Sequence, residues 1–316
     1  MSWMKTRAFL RALIAAGAAF LLSAPRSGLC VVIDTLSGTG NTSAPVNDPG
    51  WANVGFRGIG TGVYLGNRWV LTANHVGGGD IVLGSGTYSM LAGSGQQLTN
   101  GGASGKSTST DLYLYQIDRD PGLPALAISA TTPANTTAVT MIGGGLDRGA
   151  WKTWQVNMAV SPWTWTETNV SPNAAGYTLG SSRSMRWGTN AISATGWVNI
   201  GGLDVSALQT TFNYSGVYSS EAQAATGDSG GAVFMSNGSG WELAGIMLAV
   251  DAYSGQPANT AVFGNNTYMA DLSTYRSQIV QVVPEPGSVW LAIAGLATAA
   301  LAGARRCRIG RLHGCN

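Results

Sequence analysis

Short runs of β-type residues, each cut off by glycine, fill the middle of the chain: VGFRGIGTGVYLG, RWVLTANHV, DIVLG, DLYLYQI, AVTMIGGG, GAVFM and WELAGIMLAV. Runs this short and this closely punctuated cannot make a helical bundle. They predict an all-β chain of antiparallel strands packed as a sandwich or barrel. The 45 glycines supply the turns that such a chain needs. One helix is expected near the end, capped by Asp271, with Leu272, Tyr275, Ile279 and Val282 on one face. Residues 121–138, with Pro121, Pro124 and Pro133, read as a linker between two sheet-forming units, 51–120 and 139–282. Residues 25–50, rich in Ser, Gly, Thr, Asn and Pro, read as a flexible leader. Six tryptophans lie between Trp151 and Trp197. They can form an aromatic binding face or fill a core, and the sequence leaves both open.

Both ends carry export-type patterns. MSWMKTR and the apolar run to Ala24 have the order of a secretory signal peptide (residues 1–24), with cleavage after Ala24 or near Cys30. At the other end, residues 283–316 hold Pro284, Glu285 and Pro286, an apolar run from Ser288 to Ala304, and then Arg305, Arg306, Arg308 and Arg311. The run is about as long as the shortest membrane-spanning helices, and the arginines would keep the C-terminus cytoplasmic. This tail resembles the bacterial PEP-CTERM sorting signal. The resemblance implies a protein exported to the cell envelope or beyond, with an exosortase-type enzyme as partner and cleavage near Pro284-Glu285-Pro286. A plain single-span anchor is the alternative.

Seven of the 17 Lys and Arg lie in the two ends, leaving ten against 15 Asp and Glu in residues 25–286, a net charge of −5. No basic stripe remains for nucleic acid. Cys30, Cys307 and Cys315 all fall in or near the ends, so the core has no internal disulfide to rely on, although its destination is oxidising. With one histidine and no cysteine the core offers no familiar transition-metal site, and we expect no metal and no cofactor.

The chemistry gathers at GDSGG, Gly227 to Gly231. A serine hydroxyl needs an adjacent base to act as a nucleophile. His75, in RWVLTANHV, is the one histidine in residues 25–286 and so the one available imidazole. Asp111 enters the strand-like DLYLYQI and suits the acid that orients it; Asp80, five residues from His75, is the rival but sits in a turn-like Gly-Gly-Gly-Asp-Ile. The N–H groups of Gly227 and Ser229 can together face an oxyanion. GDSGG also fits G-x-S-x-G, but the α/β-hydrolase order places His after Ser, and His313 lies beyond the apolar tail.

The chain order His75, Asp111, Ser229, each in its strand context, resembles the trypsin/chymotrypsin-like serine protease superfamily. WVLTANHV, DLYLYQI and GDSGGAVF are similar to its histidine, aspartate and serine motifs. AVTMIGGG, Trp241 to Val250, and Tyr268 to Ile279 are similar to the strand opening the second barrel, the strand flanking the pocket, and the closing segment. The resemblance implies two antiparallel six-stranded Greek-key barrels with a short C-terminal helix and a triad in the cleft between them. It also implies cleavage of protein or peptide substrates through an acyl-enzyme. By the same resemblance Gln223 would lie at the base of the substrate pocket, and Leu248, Ala249 and Val250 along its wall. Val250 stands where relatives carry glycine, which suggests a shallow apolar pocket. Relatives begin with a short Ile/Val-rich sequence whose freed amine pairs with the aspartate before the nucleophile; before Trp51 no counterpart stands out. A surface binding module on the same scaffold is the rival function, and an esterase a third.

Overall fold

The computed structural model describes residues 31–35, 38, 40–214 and 220–283. The signal-like start and the Pro284-Glu285-Pro286 tail lie outside the described residues. Among those described, no helix is long and apolar enough to cross a membrane.

A two-residue strand, β1 (Val32–Ile33), opens the described chain. The first unit then runs through β2 (Val54–Arg57), β3 (Gly60–Gly66), β4 (Trp69–Ala73), β5 (Ile81–Leu83), β6 (Gly86–Tyr88), β7 (Gln96–Thr99) and β8 (Ser109–Gln116). These seven strands form one sheet in the order β6-β5-β2-β3-β4-β8-β7, antiparallel at every pairing. The second unit starts with β9 (Ala138–Gly143). It then leaves its barrel for β10 (Leu146–Asn157), β11 (Thr164–Glu167) and β12 (Ala174–Arg183), and returns with β13 (Arg186–Ile200) and β14 (Leu203–Thr211). After β15 (Ala222–Gln223) come β16 (Ala232–Ser236), β17 (Trp241–Val250), β18 (Thr260–Val262), β19 (Asn266–Asp271) and the helix α1 (Leu272–Val282). Strands β13-β14-β19-β17-β16-β9 close a six-stranded barrel. The chain is thus all-β with one short terminal helix, as its pattern predicts.

The largest apolar core joins the two units. Val63, Leu65, Leu71, Leu112 and Leu114 of the first sheet pack in one cluster with Ile142, Phe234 and Ile246 of the barrel and with Leu272, Tyr275 and Ile279 of α1. Asp271 caps α1, its Oδ1 accepting from Ser273 N at 3.0 Å. Tyr275, fully buried, carries the polar part of this junction. Its hydroxyl accepts from Ser206 N (2.9 Å) and Thr110 Oγ1 (3.1 Å) and donates to Asn100 Oδ1 (3.0 Å). A side chain of the last element is thereby bonded one residue away from Asp111.

Parts of the segment whose composition suggests a flexible leader pack against the rest of the described chain. Val31, Val32 and Ile33 are buried, and β1 pairs with β15 through Val32–Gln223 and Ile33–Ala222. Further on, Asn41 Nδ2 donates to Trp187 O and Trp187 Nε1 to Ser43 O. A polar, glycine-containing segment reads as loose when its hydrogen-bond partners lie nearly two hundred residues away.

The tryptophan-rich stretch forms an added sheet, β11-β10-β12-β18. Trp154 is buried and meets Trp165 edge-on, with ring centroids 5.8 Å apart; Trp163 stacks on Tyr253. Trp151 and Trp197 are exposed. Trp154, Trp163 and Trp165 therefore pack within this sheet, whereas Trp187 and Trp197 belong to β13 of the barrel.

Replacing Tyr275 by Phe removes the hydroxyl and leaves its buried partners short of a bond. It is expected to lower stability by about 1–3 kcal/mol, read as a lower urea midpoint with an unchanged slope.

Candidate active site

Register brings the first two residues together. Ala73 on β4 pairs with Leu112 on β8, so the residues that follow Ala73 arrive beside Asp111. Asn74 N–H donates to Asp111 O, and His75 N–H to Asp111 Oδ1 at 3.0 Å. The same carboxylate accepts from His75 Nδ1 through Oδ2 at 2.7 Å. Asp111 is almost fully buried, whereas nearly half of the His75 side chain is exposed. That hydrogen bond raises the imidazole above its ordinary 6.5, outweighing burial, which acts the other way. Asp80 is exposed in its loop, and Asp111 holds the position between the two candidates.

Ser229 reaches the same cleft from the turn before β16. Its carbonyl accepts from Thr61 N–H of the first unit at 2.9 Å, which bolts the turn across the junction. Gly230 allows that approach: its φ is +87°, and a Cβ there would lie 2.0 Å from Thr61 O. The Ser229 hydroxyl donates to Leu248 O at 3.3 Å. Within the turn, the N–H groups of Asp228, Gly230 and Gly231 are bonded to Ala225, Met247 and Asp228 carbonyls. Those of Gly227 and Ser229 have no protein acceptor among the described residues, as an oxyanion site requires.

Asp228 turns inward and is fully buried. Its Oδ1 accepts from Gly145 N–H and its Oδ2 from Ala225 N–H, each at 2.7 Å, and the Val31 backbone adds a further bond. Burial pushes its carboxyl up to about 7, against the opposing pull of these bonds and of Arg183. Two contributors were missed in the sequence. Gly145 carries a signal in the run of three glycines after β9, since a Cβ there would lie 2.6 Å from the carboxylate. Val31 belongs to Val31-Val32-Ile33, a short apolar start hidden by the polar residues that follow it.

A cleft of about 390 Å³ opens beside Ser229 and His75, walled by Ile59, Val76, Ala224, Ala225, Met247, Leu248, Ala249 and Val250. No charged side chain lines it. Leu248, Ala249 and Val250 line it. Gln223 is not among its lining residues; it is buried in β15, whose backbone pairs with Val32. A second hollow of about 340 Å³ lies over His75 and Asp111 under the tip of the β13–β14 hairpin, Ile200, Gly201 and Leu203. Among the described residues no group of three or more His, Cys, Asp or Glu is placed to hold a metal ion.

A two-unit β fold with a hydrogen-bonded His–Asp pair and a serine facing one cleft defines the class of chymotrypsin-like folds. The trypsin family model matches residues 38–272, and the chain belongs to that family. No curated protein matches. Among solved structures, the chain is similar to a mutant of human heparin binding protein (16% identity over 78% of this chain and 96% of that one, TM-score 0.48). It is also similar to neuropsin, a serine protease of mouse brain (17%, 77% and 98%, 0.45), and to an inactive form of the Rv3671c protease of M. tuberculosis (12%, 74% and 90%, 0.42).

The folded state holds a proton on Asp228 up to about pH 7, whereas the unfolded chain releases it near 3.8. In that interval the folded state binds more protons, so this group's contribution to stability falls as pH rises from about 4 to 7. Urea midpoints across that range are expected to fall more steeply for the unprocessed chain than for Asp228→Asn.

Proposed function

We propose that this chain is an exported serine endopeptidase, with Ser229 as nucleophile, His75 as general base and Asp111 as the acid that orients it. The observation that carries the reading is the 2.7 Å bond from His75 Nδ1 to a buried carboxylate, beside a serine at the end of an apolar cleft. The bond fixes the tautomer with Nε2 free to accept, and the carboxylate stabilises the imidazolium that forms. Ser229 attacks a peptide carbonyl, the N–H groups of Gly227 and Ser229 take the oxyanion, and water hydrolyses the acyl-enzyme. The walls of Ala224, Ala225, Ala249 and Val250 favour a small or medium apolar side chain before the scissile bond. The tail supports the remainder of the reading, with export, passage through the membrane and sorting by an exosortase-type enzyme at Pro284-Glu285-Pro286.

The Ser229 hydroxyl rests on Leu248 O, which favours a second reading, a binding module. Labelling by a fluorophosphonate separates them. Wild type is expected to label at Ser229, with Ser229→Ala and His75→Ala inert and Asp111→Asn slower by roughly 10⁴. Asp80→Asn should label like wild type. The base acts only when neutral, so the rate should fall as pH drops through a His75 pKa above 6.5. A folded wild type that takes no label under any condition would sink the peptidase reading.

Val31 supplies the start that the family resemblance implies. Its backbone already reaches Asp228, and it is buried with Val32 and Ile33. Processing between Cys30 and Val31 would put an ammonium, of ordinary pKa about 7.7–8.0, beside this carboxylate and hold it ionised. A chain made to begin at Val31 is expected to label faster at pH 7 than one beginning at Pro25. Its advantage should fade above the pKa of the amine. Equal rates across pH 6–9 would exclude this activation step.

A further inference from the structure

The added sheet ends in Arg183, whose guanidinium gathers backbone from three parts of the chain. Its Nε donates to Gly144 O at 2.6 Å, Nη1 to Gly58 O at 2.9 Å, and Nη2 to Gly60 O at 3.0 Å and Gly227 O at 3.4 Å. It also lies over the Phe56 ring, 5.4 Å from the centroid. Gly58 and Gly60 belong to the β2–β3 turn of the first unit, Gly144 to the exit of β9, and Gly227 to the turn that presents Ser229. A planar fork with five donors can meet this many carbonyls; an ammonium cannot.

We propose that Arg183 is a positioning residue for the oxyanion donor, holding the Gly227 N–H aimed into the cleft. The reading rests on the peptidase assignment above and assigns a task to the inserted sheet. Across β10 and β12, Arg183 pairs with Leu146, and Leu146 N–H donates to Thr226 O at 2.7 Å. The C=O and N–H of a trans peptide point opposite ways. Anchoring Thr226 O on Leu146 therefore turns the Gly227 N–H away from the insert, toward the cleft that Gly227 lines. Glycine at 227, with φ +98°, makes this orientation accessible but also makes reorientation cheap. Arg183 secures the following peptide by its Gly227 carbonyl, with Thr61 Oγ1 as second donor at 2.9 Å. The two bonds oppose a flip from both sides of Gly227.

The test uses the full chain, purified in detergent, as wild type, Arg183→Met, Arg183→Lys and Thr61→Val. Fluorophosphonate labelling gives kinact and KI separately. In Arg183→Met, kinact is expected to fall by about tenfold or more, short of the roughly 10²–10³ that follows complete loss of an oxyanion donor, with KI unchanged. Arg183→Lys should recover little of this, and Thr61→Val should show a smaller loss of the same kind. A role confined to stability would lower the melting temperature while leaving kinact of the folded fraction intact, and that result overturns the proposal. The Gly227 amide resonance is the second readout. It should shift in Arg183→Met and, if that variant does not fold, in Thr61→Val. If wild type itself takes no label, the peptidase assignment fails, and this resonance still decides whether Arg183 sets the Gly227 peptide. An unmoved resonance overturns the proposal in either case.

Discussion

The buried carboxylate of Asp228 is the constraint around which the site is assembled. A carboxyl group with no solvent exposure must find donors, and it finds them in Gly145, Ala225 and Val31, which approach from three separate stretches of chain. Meeting that need draws Asp228 inward. Because its neighbours are covalently tied to it, Gly227 and Ser229 are turned outward by the same movement. Ser229 and Gly227 line the cleft while the residue between them faces the core. The cost is visible in the raised carboxyl pKa, which shows that three backbone donors do not fully replace water around the charge. The start of the described chain and the turn before β16 meet at this carboxylate, with β1 paired to β15.

The two units each contribute part of the candidate site. The first contributes His75 and Asp111 from adjoining strands, where sheet register alone sets their spacing. The second contributes Ser229 from a turn, where register cannot act and hydrogen bonds must. Thr61 links these two modes: its N–H holds Ser229 O, its hydroxyl donates to Gly227 O, and the same hydroxyl accepts from Gly144 N–H. One residue of β3 thus touches both the Ser229 turn and the exit of β9. Tyr275 makes a comparable link from the far side, between α1, β14 and the approach to β8. The relative placement of His75 and Ser229 depends on these few cross-unit bonds as much as on the shared apolar core.

What could be read from the sequence follows from how local each signal is. His75, Asp111 and Ser229 each sit in a motif whose neighbours create the strand or turn that presents them, so both their order and their contexts were legible. The cap at Asp271 and the buried face of α1 were legible for the same reason. The leader was not, because the edge that orders Val32 and Ile33 is β15, far along the chain, and nothing in a polar, glycine-rich segment announces a distant partner. The burial of Gln223 was hidden in the same way: counting back from Ser229 gives the strand but cannot show that β1 lies along it. The tryptophans left two readings open because aromatic content does not say which rings face inward, and the register of β10 against β11 and β12 decides it.

Arginine takes over here a task that covalent links perform in many exported proteins. No cysteine lies between Val31 and Arg306, so no disulfide can fasten one described segment to another. Instead Arg148 donates to the carbonyls of Ile33 and Thr35, Arg186 to Gly40, Arg57 to Gly78, Arg276 to Ile128, and Arg183 to Gly58, Gly60, Gly144 and Gly227. The substitution changes where the stabilisation acts. A disulfide works largely by restricting the unfolded chain. A guanidinium bonded to main-chain oxygen contributes nothing until the fold has brought its acceptors together, and then it acts on their orientation. These bonds therefore do little to guide the chain toward its fold. Their effect is to sharpen local geometry at residues 31–50, at the β2–β3 turn and beside Ser229, where the direction of each peptide group decides which N–H groups face the cleft.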